Sequence, residues 1–188
     1  MSTTVPDRPA VAEGARQLLG SSRPISWVNT AYPFAAAYLM AGGGITAGLV
    51  LGTVFFLFPY NLLMYGINDV FDYESDLRNP RKGGIEGIVL AARWHRLILV
   101  SAVLLALPFV VGLLAAGTVL SGVVLAVVLA AVVGYSAPRI RLKERPLFDS
   151  MTSSTHFVGP AVFGLALAGA PPSLPLVASM VAFFFWGM

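Results

Sequence analysis

The chain has 188 residues, 57% of them hydrophobic and 11% charged, with a mean hydropathy of +0.80. An ordinary soluble domain is about a quarter charged, so a water-soluble globular fold is excluded and an integral membrane protein is indicated. A net charge of +3 argues against nucleic acid as a partner, and the absence of cysteine excludes disulfides and thiolate chemistry and leaves any metal to oxygen and imidazole ligands.

Residues 1–23 form a cytoplasmic N-terminal tail, and MSTTVPDRPAVAEGARQ reads as disordered. Asp7, Glu13 and two prolines stand where an apolar h-region would be, so no signal peptide is expected. Beyond it, Lys, Arg, Asp and Glu are confined to residues 69–96 and 139–149, leaving charge-free tracts at 24–68, 97–138 and 150–188. A membrane-spanning helix needs about 20 apolar residues, and each tract holds one internal turn signal: Ala41-Gly42-Gly43-Gly44, Ala115-Ala116-Gly117-Thr118 and Ala170-Pro171-Pro172-Ser173. The expected fold is therefore an all-α polytopic bundle whose transmembrane domain covers 24–188, with six crossings near 25–41, 48–68, 97–115, 119–136, 150–169 and 174–188. The charged segments carry 3, 5 and 4 basic residues and the three turns none. Positive charge stays inside, which puts the N-terminus and the charged end in the cytoplasm, the chain in the plasma membrane, and the arginines beside lipid headgroups.

At the end of the second crossing stands NDVFDYESD, residues 68–76, with four acidic side chains. On a helix advancing about 100° per residue, Asn68, Asp72, Asp76 and Asp69 fall at about 0°, 40°, 80° and 100°, one face, while Glu74 points elsewhere. Carboxylates at that spacing repel one another and call for a cation. Oxygen-only ligands on one helix suit Mg²⁺, which keeps coordination positions for water or phosphate oxygens. A solvated helix end is the plainer alternative.

The stretch resembles the N-D-x-x-D-x-x-x-D first motif of the UbiA superfamily of intramembrane prenyltransferases, which lies at the cytoplasmic end of that family's second helix. Tyr135-Ser136-Ala137-Pro138, followed by Arg139, Arg141 and Lys143, is similar to the Y-S-x-P-x-x-x-x-K segment after its fourth helix. The resemblance implies a helical bundle that transfers a prenyl group from an allylic diphosphate to a lipophilic acceptor, with Mg²⁺ held between two Asp-rich motifs. It implies Asn68, Asp69, Asp72 and Asp76 as metal ligands, Asp69 as ligand or as a supporting partner. Arg81, Lys82, Tyr135 and Lys143 are implied as diphosphate-binding, with membrane topology as the alternative for the basic ones. No residue is singled out as catalytic. The loop NPRKGGIEGIVL carries Gly83-Gly84 where quinone- and haem-pathway members have an Arg-Pro pair. It is more like the lycopene elongase branch of carotenoid biosynthesis, implying dimethylallyl diphosphate as donor and lycopene as acceptor. A quinone- or haem-pathway prenyltransferase and a non-catalytic membrane partner remain alternatives, and the D-G-x-x-A-R pattern of lipid phosphotransferases is absent. No pattern specifies an oligomeric state.

The family's second Asp-rich motif follows the sixth helix, whereas this chain ends at FFFWGM within it. The chain therefore reads as the N-terminal two-thirds of an enzyme, inactive alone. Asp149 reads as the N-cap of the fifth span. His156, with Thr152, Ser153 and Thr155, reads as hydrogen bonding between helices or as cavity lining. Pro33, Pro59, Pro108 and Pro160 are expected to kink or end helices, and Asn29 and Asn61 to pair across the first two.

Overall fold

The computed structural model describes residues 8–83 and 87–188. Its first helix, α1 (Arg8–Ser21), corrects the expectation of a disordered tail. Ala, Glu, Arg, Gln and Leu are strong helix formers, and one face of α1 has somewhere to pack. Leu18 reaches the core, and Gly14 lies so close to Trp94 and Leu97 that a Cβ there would press on both. Residues 1–7 of the expected tail, and Gly84 of the Gly83-Gly84 pair, lie outside the described residues.

Among the described residues, six helical segments follow at the positions where the charge partition predicts crossings. They are α2 (Val28–Met40), the pair α3 (Ala47–Leu57) and α4 (Pro59–Phe71), α6 (His95–Ala116), α7 (Val119–Ser136), α8 (Pro146–Leu167) and α9 (Leu174–Gly187), with the one-turn helix α5 (Tyr73–Asp76) closing the second crossing. The continuous helical stretches over 47–71, 92–116 and 119–136 are long and apolar enough to cross a membrane, and α9 is a shorter apolar helix. Outward-facing Val103, Leu104, Leu107, Val111 and Leu114 on α6, with Leu120, Val123 and Val127 on α7, give the bundle an apolar exterior. Such an exterior suits hydrocarbon rather than water.

The second crossing breaks at Phe58, because Pro59 has no N–H and its ring crowds the preceding turn. The break exposes carbonyls that hydrocarbon cannot satisfy. Asn61 Nδ2 donates to the Phe56 and Leu57 carbonyls at 2.7 and 3.0 Å, and Thr30 Oγ1 donates to Phe56 O at 2.6 Å. Asn61 pairs across to Thr30 Oγ1 at 2.8 Å, not to Asn29. Asn29 is one position round the helix and exposed. Pro33, Pro108 and Pro160 sit inside α2, α6 and α8 without ending them. Asp149 is not the N-cap: α8 starts at Pro146, whose fixed φ suits the first helical position, so Asp149 falls in the first turn.

Aromatic rings fill the centre. Phe34, Phe55, Phe56, Tyr60 and Phe163 are fully buried, with Phe56 5.2 Å from Phe34 and 5.0 Å from Tyr60. Two glycines allow this closeness, since a Cβ at Gly52 would overlap the Phe34 ring and one at Gly164 would strike the Phe34 carbonyl. At one end of the bundle the three uncharged turns sit near one another: both Gly117 and Gly48 face Leu167. The charged segments meet at the other end.

Candidate functional site

The second crossing does not run as one helix through the acidic motif. α4 ends at Phe71, and Asp72, at φ −101° and ψ 4°, turns the chain into α5. Around it the polar side chains fall into two pairs, those at about 0° and 40° on the wheel and those at about 80° and 100°. Asn68 and Asp72 turn toward the segment after α7, while Asp69 and Asp76 turn toward the loop after α5 and toward Arg23.

The first pair surrounds Lys143. Its Nζ donates to Asn68 Oδ1 at 2.9 Å and to Asp72 Oδ2, and lies 3.4 Å from Ser136 Oγ, which itself donates to Asn68 Oδ1 at 2.8 Å. Arg141, held by a left-handed backbone (φ 39°) at the start of the 3₁₀ turn Leu142–Glu144, reaches Asp72 Oδ1 at 3.4 Å and also pairs with Glu144. The second pair surrounds Lys82, whose Nζ is 2.7 Å from both Asp69 Oδ1 and Asp76 Oδ2. Arg23, also left-handed (φ 50°), adds a bond to Asp69 Oδ1 at 3.1 Å while its guanidinium lies 4.2 Å over the Tyr65 ring.

Burial decides the character of these contacts. The Asp69 side chain is 0% exposed, Lys82 4%, Asp76 9% and Lys143 11%, so these are interior ion pairs and not the weak surface kind. Burial pushes the Lys143 ammonium below the ordinary lysine range, and its hydrogen bond to Asp72 pulls the other way.

Tyr135 stands just beneath. Its ring centroid is 5.8 Å from Lys143 Nζ, and its ring packs edge-on to His156 at 5.3 Å. His156 Nδ1 lies 3.5 Å from the Tyr60 hydroxyl, so this buried histidine joins α8 to α4 as an interhelical contact. Arg81 lies on the exposed surface of the loop beside Lys82, its N–H bound to Asn79 Oδ1 at 3.0 Å. A cavity of about 420 Å³ opens at this end, lined by Phe71, Asp72, Glu74, Ser75, Arg78 and Arg141.

Among the residues named from sequence, Asn68, Asp69, Asp72, Asp76, Lys82, Tyr135 and Lys143 are brought to one end of the bundle. Arg23 joins them unannounced. Arg23 is 46 positions from Asp69 in the chain; its one sequence signal is that it is the last charge before the first apolar tract.

The donor set fits a divalent cation in kind. Oxygens of Asn68, Asp72 and Ser136 converge on one ammonium and those of Asp69 and Asp76 on another, while Asp69 Oδ2 is buried with no hydrogen-bond partner. Hard oxygen ligands of this sort suit Mg²⁺, which keeps other positions for water or phosphate. Among the described residues, no three His, Cys, Asp or Glu side chains gather round one point, so the expected single carboxylate face is replaced by two cradles.

The UbiA prenyltransferase family matches residues 30–188. The chain is 53% identical over 176 residues to the lycopene elongase/hydratase of Corynebacterium glutamicum, covering 94% of this chain and 61% of that protein. It is 53% identical over 182 residues to the C(50) beta-cyclic carotenoids biosynthesis protein LbtBC of Dietzia sp. (strain CQ4), covering 97% of this chain and 42% of that one. The chain thus spans less than two-thirds of the length of these relatives. In three dimensions it is similar to a UbiA homolog from Archaeoglobus fulgidus bound to DMAPP and Mg2+, with a TM-score of 0.70 and 21% identity over 91% of this chain and 60% of that one.

Proposed function

The chain belongs to the UbiA prenyltransferase family, and from that premise we propose that the charged end of its bundle binds an allylic diphosphate with Mg²⁺ for transfer of the prenyl group to a lipophilic acceptor. The observation that carries this reading is the meeting, at the broken end of the second crossing, of Asp69, Asp72 and Asp76 with four basic side chains from three other segments: Arg23, Lys82, Arg141 and Lys143. A diphosphate needs such cations, and its metal needs such oxygens. The donor is dimethylallyl diphosphate, supported by the ligand of the Archaeoglobus homolog. The acceptor is lycopene, supported by the names of the bacterial relatives and favouring carotenoid over quinone or haem chemistry.

Asn68, Asp72, Asp69 and Asp76 would hold the metal. When bound, a divalent cation supplies Lewis-acid stabilisation of charge on the leaving diphosphate. The chain's own groups do the rest. As the allylic C–O bond breaks, its electron pair passes to the diphosphate oxygen, and Lys82, Lys143, Arg23 and Arg141 donate hydrogen bonds to that growing charge in a site poor in water. Tyr135, next to Lys143, offers a π face to the allylic cation. The acceptor's terminal double bond then supplies the electrons for the new C–C bond, and the cation this leaves on the acceptor loses a proton to the released diphosphate. The buried aromatic centre below excludes water that would otherwise quench the cation.

With the intact protein in lipid nanodiscs, labelled dimethylallyl diphosphate and lycopene should give Mg²⁺-dependent, longer labelled carotenoids. Transfer only to phenolic acceptors, with lycopene returned unchanged, would overturn the acceptor; no transfer to any acceptor would overturn the reading itself.

A further inference from the structure

We infer that Lys82 and Lys143 are resident counter-ions of the two oxygen cradles, and that a divalent cation enters only together with a diphosphate, which takes the displaced ammonium groups over. The inference rests on the proposed function and adds the order of events at that site.

An ammonium occupies each of the two oxygen cradles. Lys82 Nζ is 2.7 Å from an oxygen of Asp69 and 2.7 Å from one of Asp76, and Lys143 Nζ is 2.9 Å from Asn68 Oδ1, bonded to Asp72, and near Ser136 Oγ. These are the oxygens that fit a hard cation. A lysine bonded to two of them excludes the metal by occupancy and by like charge at close range in a poorly screened interior.

Charge counting points the same way. In the pairs at this end, Asp69, Asp72, Asp76 and Glu144 face Arg23, Lys82, Arg141 and Lys143, four negative against four positive. Among the described residues, each carboxylate in these pairs is thus already matched by a cation. Neither lysine can simply swing away, because an ammonium 4% or 11% exposed that loses its carboxylate is left buried and uncompensated. If a metal and a diphosphate arrive together, both problems are solved: the cation replaces the ammonium at the carboxylates, and the phosphate oxygens receive it. Each ligand then prepares the site for the other, which is a reciprocal coupling. The design protects the carboxylates from idle metal and ties metal capture to the presence of substrate.

The test uses Mn²⁺ as the metal probe and inorganic pyrophosphate as the diphosphate probe, with the intact protein in nanodiscs. Protein-bound Mn²⁺ is counted by electron paramagnetic resonance after equilibrium dialysis, so that metal–pyrophosphate in free solution is equal on both sides. Pyrophosphate should tighten Mn²⁺ binding about 10-fold or more, and Mn²⁺ should tighten pyrophosphate binding by the same factor. Lys82→Met and Lys143→Met should bind Mn²⁺ alone more tightly than the unaltered protein and pyrophosphate more weakly. A merely structural lysine would not improve metal binding when removed.

Equal Mn²⁺ affinity with and without pyrophosphate in the unaltered protein would overturn the inference, and that measurement needs no variant to fold. Variants that bind Mn²⁺ alone no better than the unaltered protein would overturn it as well. Failure of both probes to bind under any condition would instead sink the assignment of the site, and the inference with it.

Discussion

Asp69 and Asp72 are three residues apart and behave differently, because one is sealed and the other is not. Asp69 is fully buried between Lys82 and Arg23, while Asp72 is 17% exposed and lines the cavity mouth. Removing one partner of a buried ion pair strands the other charge at a cost of about 3–5 kcal/mol. Asp69→Asn should therefore lower the stability of the detergent-solubilised protein by an amount in that range, read from the midpoint of a chemical or thermal unfolding curve. Asp72→Asn keeps the shape of the side chain and leaves Lys143 bonded to Asn68 Oδ1, so its effect should fall mainly on turnover. Loss of a group that only supports a bound metal costs about 10–100-fold. A group proposed to hold the metal directly should cost at least that, and the same holds for Asp76→Asn. Near-normal prenyl transfer by both variants at limiting Mg²⁺ would remove these residues from the site.

At the level of elements, the six helical segments were readable in the sequence because charge is excluded from hydrocarbon and glycine and proline mark the turns. The acidic motif was readable as a helix end for the same reason. The partners of its two pairs were not: Lys143 and Arg141 reach Asp72 from about 70 positions away, contacts that a helical wheel cannot supply. The helicity of α1 was hidden by its low hydropathy, since it rests on a face packed against Trp94 and Leu97 and not on a membrane span. Close packing leads to a separate expectation. Gly164→Val would drive a branched side chain into the Phe34 backbone, where α2 and α8 meet, and overpacking of this kind costs about 1–3 kcal/mol. It should lower the unfolding midpoint. An unchanged midpoint would mean that α2 and α8 are not held this tightly.

For the whole molecule, orientation decides which compartment supplies the diphosphate. Basic residues are gathered at the site end and absent from the opposite turns, and by the bias of lysine and arginine toward the cytoplasm we propose that the site faces inward, where a water-soluble allylic diphosphate is available. The proposed acceptor is apolar and would arrive through lipid, so a bundle with its charged mouth at the membrane surface and an apolar exterior below could receive each substrate from its own phase. The chain has no cysteine, which makes single-cysteine labelling clean. Ser75→Cys lies exposed at the charged end beside the acidic motif, and Ser173→Cys lies exposed in the turn before α9. In sealed right-side-out vesicles an impermeant maleimide should label the Ser173 variant at once and the Ser75 variant only after the membrane is opened. Labelling of both from the same face would overturn the six-span arrangement. Labelling of Ser75 alone from outside would keep the arrangement but reverse it, placing the site away from the diphosphate supply and removing the physical basis for the proposed donor.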